Sequence, residues 1–175
     1  MKPFLNTLIT TFIAASLLLG SNSYSQSLPA ATGRILLTVS GAIQHSNAER
    51  DGQPIAQFDR ALLEQSGIQT LATRSEWTDG VQTFSGPLAR AVLDTAGATG
   101  TTLVAVALND YQVNIPLSDV YDYPVILATT VEGKLLTRRD KGPIWIIYPR
   151  DDYPELANPE TNTKWVWQLK ELIVK

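Results

Sequence analysis

A chain with no cysteine must hold whatever fold it adopts by packing and hydrogen bonds alone. No disulfide framework is open to it, and it has neither a thiolate nucleophile nor a thiolate metal ligand. Its lone histidine, His45, cannot supply the clustered imidazoles of a typical zinc or copper site. That residue lies in the polar stretch 44–53, where a solvated loop histidine is expected. The fold must therefore come from the pattern of apolar residues.

The first of these patterns concerns export. Lys2 precedes the almost uncharged apolar run 5–19, and Ser23, Tyr24 and Ser25 place small residues at the recognition positions of a cleavage site. The run is shorter than the roughly 20 apolar residues of a membrane span. A secretory signal over residues 1–25, cut after Ser25, is expected, with a retained N-terminal anchor as the alternative. The mature protein is then periplasmic and not itself inserted in the membrane, and without cysteine it cannot be a lipoprotein. Taking 25 residues from 175 leaves 150, a length suited to a single domain, 26–175, with a substantial core. Loss of Lys2 reduces the 14 basic residues to 13 against 17 acidic ones. A mildly acidic surface without basic clusters argues against nucleic acid and anionic lipid as partners.

Residues 34–43 are β-branched enough for a strand, and the polar stretch after them, ending near Pro54, reads as a loop. Phe58 and Asp59 look like the entry to a short helix, 60–66, closed by Gly67. Residues 68–74 and 81–84 are strand-like and flank a Thr78-Asp79-Gly80 turn. Gly86 and Pro87 open a second helix whose apolar face is Leu88, Ala91, Val92 and Ala96, ending at Gly97. The near-continuous apolar run 102–108 suits a strand covered on both faces. Asn109-Asp110 turns the chain into a strand over 111–115, stopped by Pro116. Ser118 is placed to cap a brief turn. Further strands are expected at 125–130, 135–136 and 144–148, with a reversal at Glu132-Gly133. Residues 150–163 read as a polar loop. The closing segment reads as a short helix holding Trp165 and Leu169, then a strand over 172–174. More strand than helix indicates an α+β domain with mixed sheets and short helices.

Six motifs occur in order from about residue 33 to the end. They are Trp77-Thr78-Asp79-Gly80, residues 84–88, Ala107-Leu108-Asn109-Asp110-Tyr111, residues 115–119, Glu132-Gly133-Lys134 and residues 141–149. Together they resemble the oxidoreductase molybdopterin-binding domain, the sulfite-oxidase fold. That family's enzymes ligate molybdenum through the cofactor dithiolene and one protein cysteine, so the resemblance ends at the catalytic residue. The chain is more similar to a short exported branch, the periplasmic pterin-binding regulators. This resemblance implies a protein that binds reduced pterins, carries no metal and performs no redox catalysis. It also implies a partner, the periplasmic domain of an inner-membrane signalling protein with diguanylate cyclase and phosphodiesterase domains, and hence control of cyclic-di-GMP and biofilm formation. A molybdopterin-dependent oxidoreductase, or its accessory subunit, is the alternative.

A pterin needs an aromatic platform, a carboxylate for its guanidine-like donor edge, and a cation or backbone donor near its carbonyl. Trp77, among polar neighbours, is the first choice of platform, against a role covering a sheet edge. Trp145, between Ile144 and Ile146, suits the core better, although a strand end beside Gly142 and Pro143 would expose one face. Asp110 and Asp140 compete for the carboxylate. Asp110 also suits a simple turn role, and Asp140 with Arg138 and Arg139 also suits a solvated charge run. Arg74 is a candidate for the carbonyl or a phosphate, and Tyr111 and Tyr148 for stacking or a hydroxyl, against a role as half-buried sheet aromatics. Trp165 and Trp167 are expected to pack the terminal helix. Enzyme chemistry finds little support, since there is no nucleophile elbow, phosphate-binding glycine loop or histidine cluster. No catalytic or metal-ligating residue is assigned.

Overall fold

The computed structural model describes residues 28–175, so the expected signal segment 1–25 lies outside the described residues. The described part is α+β, with mixed sheets and a few short helices. None of its helices is long and apolar enough to cross a membrane.

A six-stranded sheet is built from β1 (Leu37–Gly41), β2 (Ala48–Arg50), β3 (Gln53–Phe58), β6 (Thr102–Ala107), β7 (Gln112–Pro116) and β12 (Leu169–Val174), in the order β2-β3-β1-β12-β6-β7. Only β1 and β12 run parallel; the other pairs are antiparallel. Leu103 to Ala107 of β6 are all buried, as the unbroken apolar run requires. The four-stranded sheet has the order β10-β9-β5-β4, from β4 (Ile68–Arg74), β5 (Val81–Pro87), β9 (Thr130–Val131) and β10 (Lys134–Leu135). β8 (Ile126–Ala128) and β11 (Trp145–Ile147) pair antiparallel with every residue buried. The helices are α1 (Arg60–Gln65), α2 (Ala89–Ala96), α3 (Leu117–Asp122) and α4 (Pro159–Thr163).

α1 begins where its cap dictates. Asp59 accepts the Leu62 N–H at 3.0 Å and, with its other oxygen, the Thr32 and Gly33 N–H groups at 2.9 and 2.7 Å. These backbone donors hold the Asp59 carboxyl below its ordinary range. Gly67 follows with φ of +86°, the left-handed conformation favoured after a helix end.

Several expectations are corrected. The polar stretch 44–54 holds a hairpin, β2 to β3, turned by Asp51 and Gly52 at φ of +54° and +74°. His45 is half-buried there, its Nδ1 3.0 Å from the Thr95 carbonyl. Gly86 and Pro87 finish β5 instead of opening α2, and the buried face of α2 is Ala89, Val92, Leu93 and Ala96. A Cβ on Gly86 would lie 2.0 Å from the Leu127 carbonyl oxygen, so glycine is required for β5 to pack against β8. Ser118 caps nothing, since α3 starts from Pro116 without a side-chain cap. Residues 150–163 are a loop only in part: a 3-10 turn, Pro154–Leu156, and α4 lie within it. The closing segment is not a helix at Trp165. The helix comes earlier, capped by the Asn158 side chain, and Leu169 already belongs to β12, a central strand.

One charge cluster, built around the buried Glu171, ties the sheet. Arg50 of β2 forms an ion pair with Glu171 of β12, and the Ser40 hydroxyl of β1 donates to Glu171 at 2.8 Å. Burial pushes the Glu171 carboxyl up, but the hydrogen bonds from Arg50 and Ser40 and the charge of Arg50 outweigh it, and the net shift is downward. A depressed carboxyl contributes stability above its unfolded value and loses it as pH falls through the folded one. Thermal stability is therefore expected to decline below about pH 4.5. In Arg50→Met this acid-dependent loss should be smaller and stability at neutral pH lower, as thermal melts across that range would show.

Candidate functional site

Three separate stretches of chain meet at one cleft. The first is the loop between β4 and β5, folded on itself by short polar bonds. Ser75 N–H donates to Thr78 Oγ1 at 2.9 Å, and Trp77 N–H donates to Ser75 Oγ at 3.1 Å. This presents Glu76 and Trp77 at the sheet end. The second is the β6–β7 turn, where Asp110 takes φ of +65° and the Tyr111 N–H donates to Asn109 Oδ1 at 3.2 Å. The third is α4 and the extended segment after it, where Trp167 bridges to Trp145 of β11. Tyr111 joins the second to the third, its hydroxyl donating to the Thr163 carbonyl at 3.2 Å.

The cleft between them has a volume of about 550 Å³ and is lined mainly by aromatic and apolar groups: Trp77, Trp165, Trp167, Tyr111, Ala107 and Val166. Such a size falls within the roughly 300–1,000 Å³ of small-molecule sites. Trp77 stands edge-on to Trp167, with centroids 5.5 Å apart at 71°, and 6.5 Å from Trp165. Trp77 and Trp167 are half-buried, so each keeps ring surface exposed. Trp165 is 2% exposed, and its Nε1–H is the one fully buried side-chain polar atom without a hydrogen-bond partner among the described residues. An indole N–H in that state lacks the partner that buried donors usually find. Glu76, Asn109, Pro159, Asn162 and Thr163 complete the lining.

Behind the cleft the aromatic cluster continues into the core. Trp145 is 2% exposed, and its Nε1–H donates to the Trp165 carbonyl at 3.1 Å. Lys141 binds the two layers together. Its Nζ donates to the Trp77 carbonyl at 2.8 Å and lies 4.6 Å from the Trp145 ring centroid, a cation over an aromatic face. Burial lowers the pKa of its ammonium group. Under Trp165, Lys164 is 7% exposed and reaches Asp119 at 3.0 Å and Glu160 at 3.2 Å. Tyr148, fully buried, donates its hydroxyl to the same Asp119 oxygen at 3.1 Å.

Of the nine residues singled out in the sequence, the cleft brings together Trp77 and Tyr111, with Trp145 packed behind them. The others lie elsewhere. Asp110 points away from the cleft to pair with Lys170 at 2.6 Å. Arg74 is exposed and pairs with Asp151 at 3.2 Å. Arg138, Arg139 and Asp140 form an exposed 3-10 turn, in which Asp140 accepts the Thr137 hydroxyl at 2.6 Å. Arg138 lines different surface hollows, near Arg34 and Pro143. Tyr148 is spent on the Asp119 pair. The groups not anticipated are Glu76, Asn109, Asn162, Trp165, Trp167 and Lys141. In the sequence Trp165 and Trp167 read as part of a terminal helix, which ends at Thr163 instead, and Glu76 carries only the weak signal of adjoining Trp77.

Among the described residues no group of three or more histidine, aspartate or glutamate side chains is arranged to hold a metal ion. No protein-family model matches the chain, and no curated protein matches it.

Proposed function

We propose that the protein is a periplasmic binding protein for a reduced pterin, seated in the tryptophan cleft, and that its fold is of the sulfite-oxidase type. The observation that carries the reading is the cleft wall: three indoles and a phenol around about 550 Å³. A flat bicyclic heterocycle offers faces for Trp77 and Trp167, the two half-buried indoles of the wall. The order of the six sequence motifs, and the α+β architecture with mixed sheets, support the fold assignment. The chain has no cysteine to ligate molybdenum, which favours a binding role over a molybdopterin oxidoreductase. The signal-like residues 1–25 support export. In this reading, pterin occupancy is passed to the periplasmic domain of a membrane diguanylate cyclase and phosphodiesterase, and so to cyclic-di-GMP and biofilm formation.

Calorimetric titration of the mature protein with a tetrahydropterin under anaerobic conditions tests this. Saturable one-site binding is expected, and no heat of binding at millimolar ligand would sink the reading. Trp77→Ala should weaken binding by roughly 5- to 150-fold, the equivalent of about 1–3 kcal/mol for one stacked base. In cells, the same variant should shift the cyclic-di-GMP level as deletion of the protein does.

A further inference from the structure

The cleft has one charge and no counter-charge. Of its lining residues only Glu76 is acidic or basic, and none of the five ion pairs among the described residues includes it. The two cations close behind the cleft are both engaged: Lys141 on the Trp77 carbonyl, and Lys164 on Asp119 and Glu160. Glu76 is exposed and immediately precedes Trp77, so its carboxylate stands at the rim of a ligand stacked on that indole. A carboxylate accepts hydrogen bonds only, and it favours a flat partner presenting two parallel N–H groups.

On the reading of the cleft as a pterin site, we propose that Glu76 is its specificity-determining residue. The carboxylate receives the amidine edge formed by the 2-amino group and the neighbouring ring N–H. The site therefore selects 2-amino-4-oxo heterocycles over their 2-oxo counterparts, whose carbonyl oxygen would face the carboxylate. A negative rim without a neighbouring free cation also disfavours ligands carrying a phosphate. The carboxylates suggested by sequence, Asp110 and Asp140, do not serve here, because one is paired with Lys170 and the other bonded to Thr137.

The test compares wild type and Glu76→Gln by calorimetry with three probes: a pterin, the 2,4-dioxopteridine of the same ring oxidation state, and a phosphate ester of the pterin. Wild type is expected to bind the pterin at least roughly tenfold more tightly than the dione, the scale of a hydrogen bond to a charged group. In Glu76→Gln that preference should fall to within about threefold, through loss of pterin affinity, and the penalty on the phosphate ester should shrink. Thermal melts should coincide, since Glu76 makes no ion pair. Equal affinity of wild type for pterin and dione, or an undiminished preference in Glu76→Gln, overturns this assignment and leaves the pterin reading standing. Failure of wild type to bind any pterin overturns that reading and this assignment with it.

Discussion

Trp145→Ala is expected to destabilise the protein by about 3–5 kcal/mol, the usual cost of truncating a buried tryptophan, and to lower the melting temperature by roughly 6–20 °C. The ring is 2% exposed and meets Phe84 edge-on at 5.4 Å and Trp165 at 6.4 Å. Its removal opens a cavity between β5, β11 and the segment after α4. It also leaves the Trp165 carbonyl without the Nε1–H donor now at 3.1 Å, and Lys141 without the ring beneath it. A domain of ordinary stability has about 5–15 kcal/mol in total, so the variant should lie near the limit of folding at physiological temperature. Trp145→Phe separates the contributions. It keeps most of the apolar volume but not the hydrogen bond, and about 1–3 kcal/mol should be lost. Equilibrium unfolding in denaturant measures both, and a Trp145→Ala cost under 1 kcal/mol would contradict the packing described.

The second large effect concerns a charge. Lys164→Met should cost about 1–3 kcal/mol, because it leaves the part-buried Asp119 carboxylate without its cation. The partner is Asp119, 3.0 Å away and also the acceptor of the buried Tyr148 hydroxyl. The second contact of Lys164, to Glu160, adds little, since that carboxylate is 82% exposed. Burial lowers the Lys164 pKa, but hydrogen bonding and attraction to Asp119 and Glu160 exceed it, so the net shift is upward. Burial, with the charge of Asp119, also pushes the Tyr148 phenol up. Both groups hold their protons more tightly when folded. Their contribution is complete below the unfolded values of 10.0 and 10.5 and is lost as pH rises through the folded ones. Thermal melts from neutral pH to above 10.5 should show this alkaline loss in wild type. Both Lys164→Met and Tyr148→Phe should show less of it.

Elements with local signals were legible in the sequence. β4 spans residues 68–74 as expected, and α1 lies between the cap Asp59 and the left-handed Gly67, because strand alternation and capping are written in consecutive residues. What the sequence concealed depends on distant pairing. Glu49, Arg50 and Gln53 look like loop residues, yet β2 and β3 form because β3 lies against β1 and Arg50 finds Glu171. Leu169 looks like the continuation of a helix, yet β1 and β6 flank it as neighbours in a sheet. The site followed the same rule. Trp77 announced itself by its polar neighbours. The carboxylate did not, since Asp110 and Asp140 took the turn conformations that aspartate favours, while Glu76 became prominent only when residues 107–111 and 159–167 closed around its loop.

All four tryptophans of the chain stand in one cluster, with ring centroids 5.5 to 6.5 Å apart from neighbour to neighbour. At that spacing excitation passes between indoles before it is emitted, so the ultraviolet fluorescence of the whole molecule issues from a single place. No remote tryptophan dilutes it. A molecule that stacks on Trp77 or Trp167 is expected to quench tryptophan emission from this one cluster, so a fluorescence titration reads occupancy of the cleft.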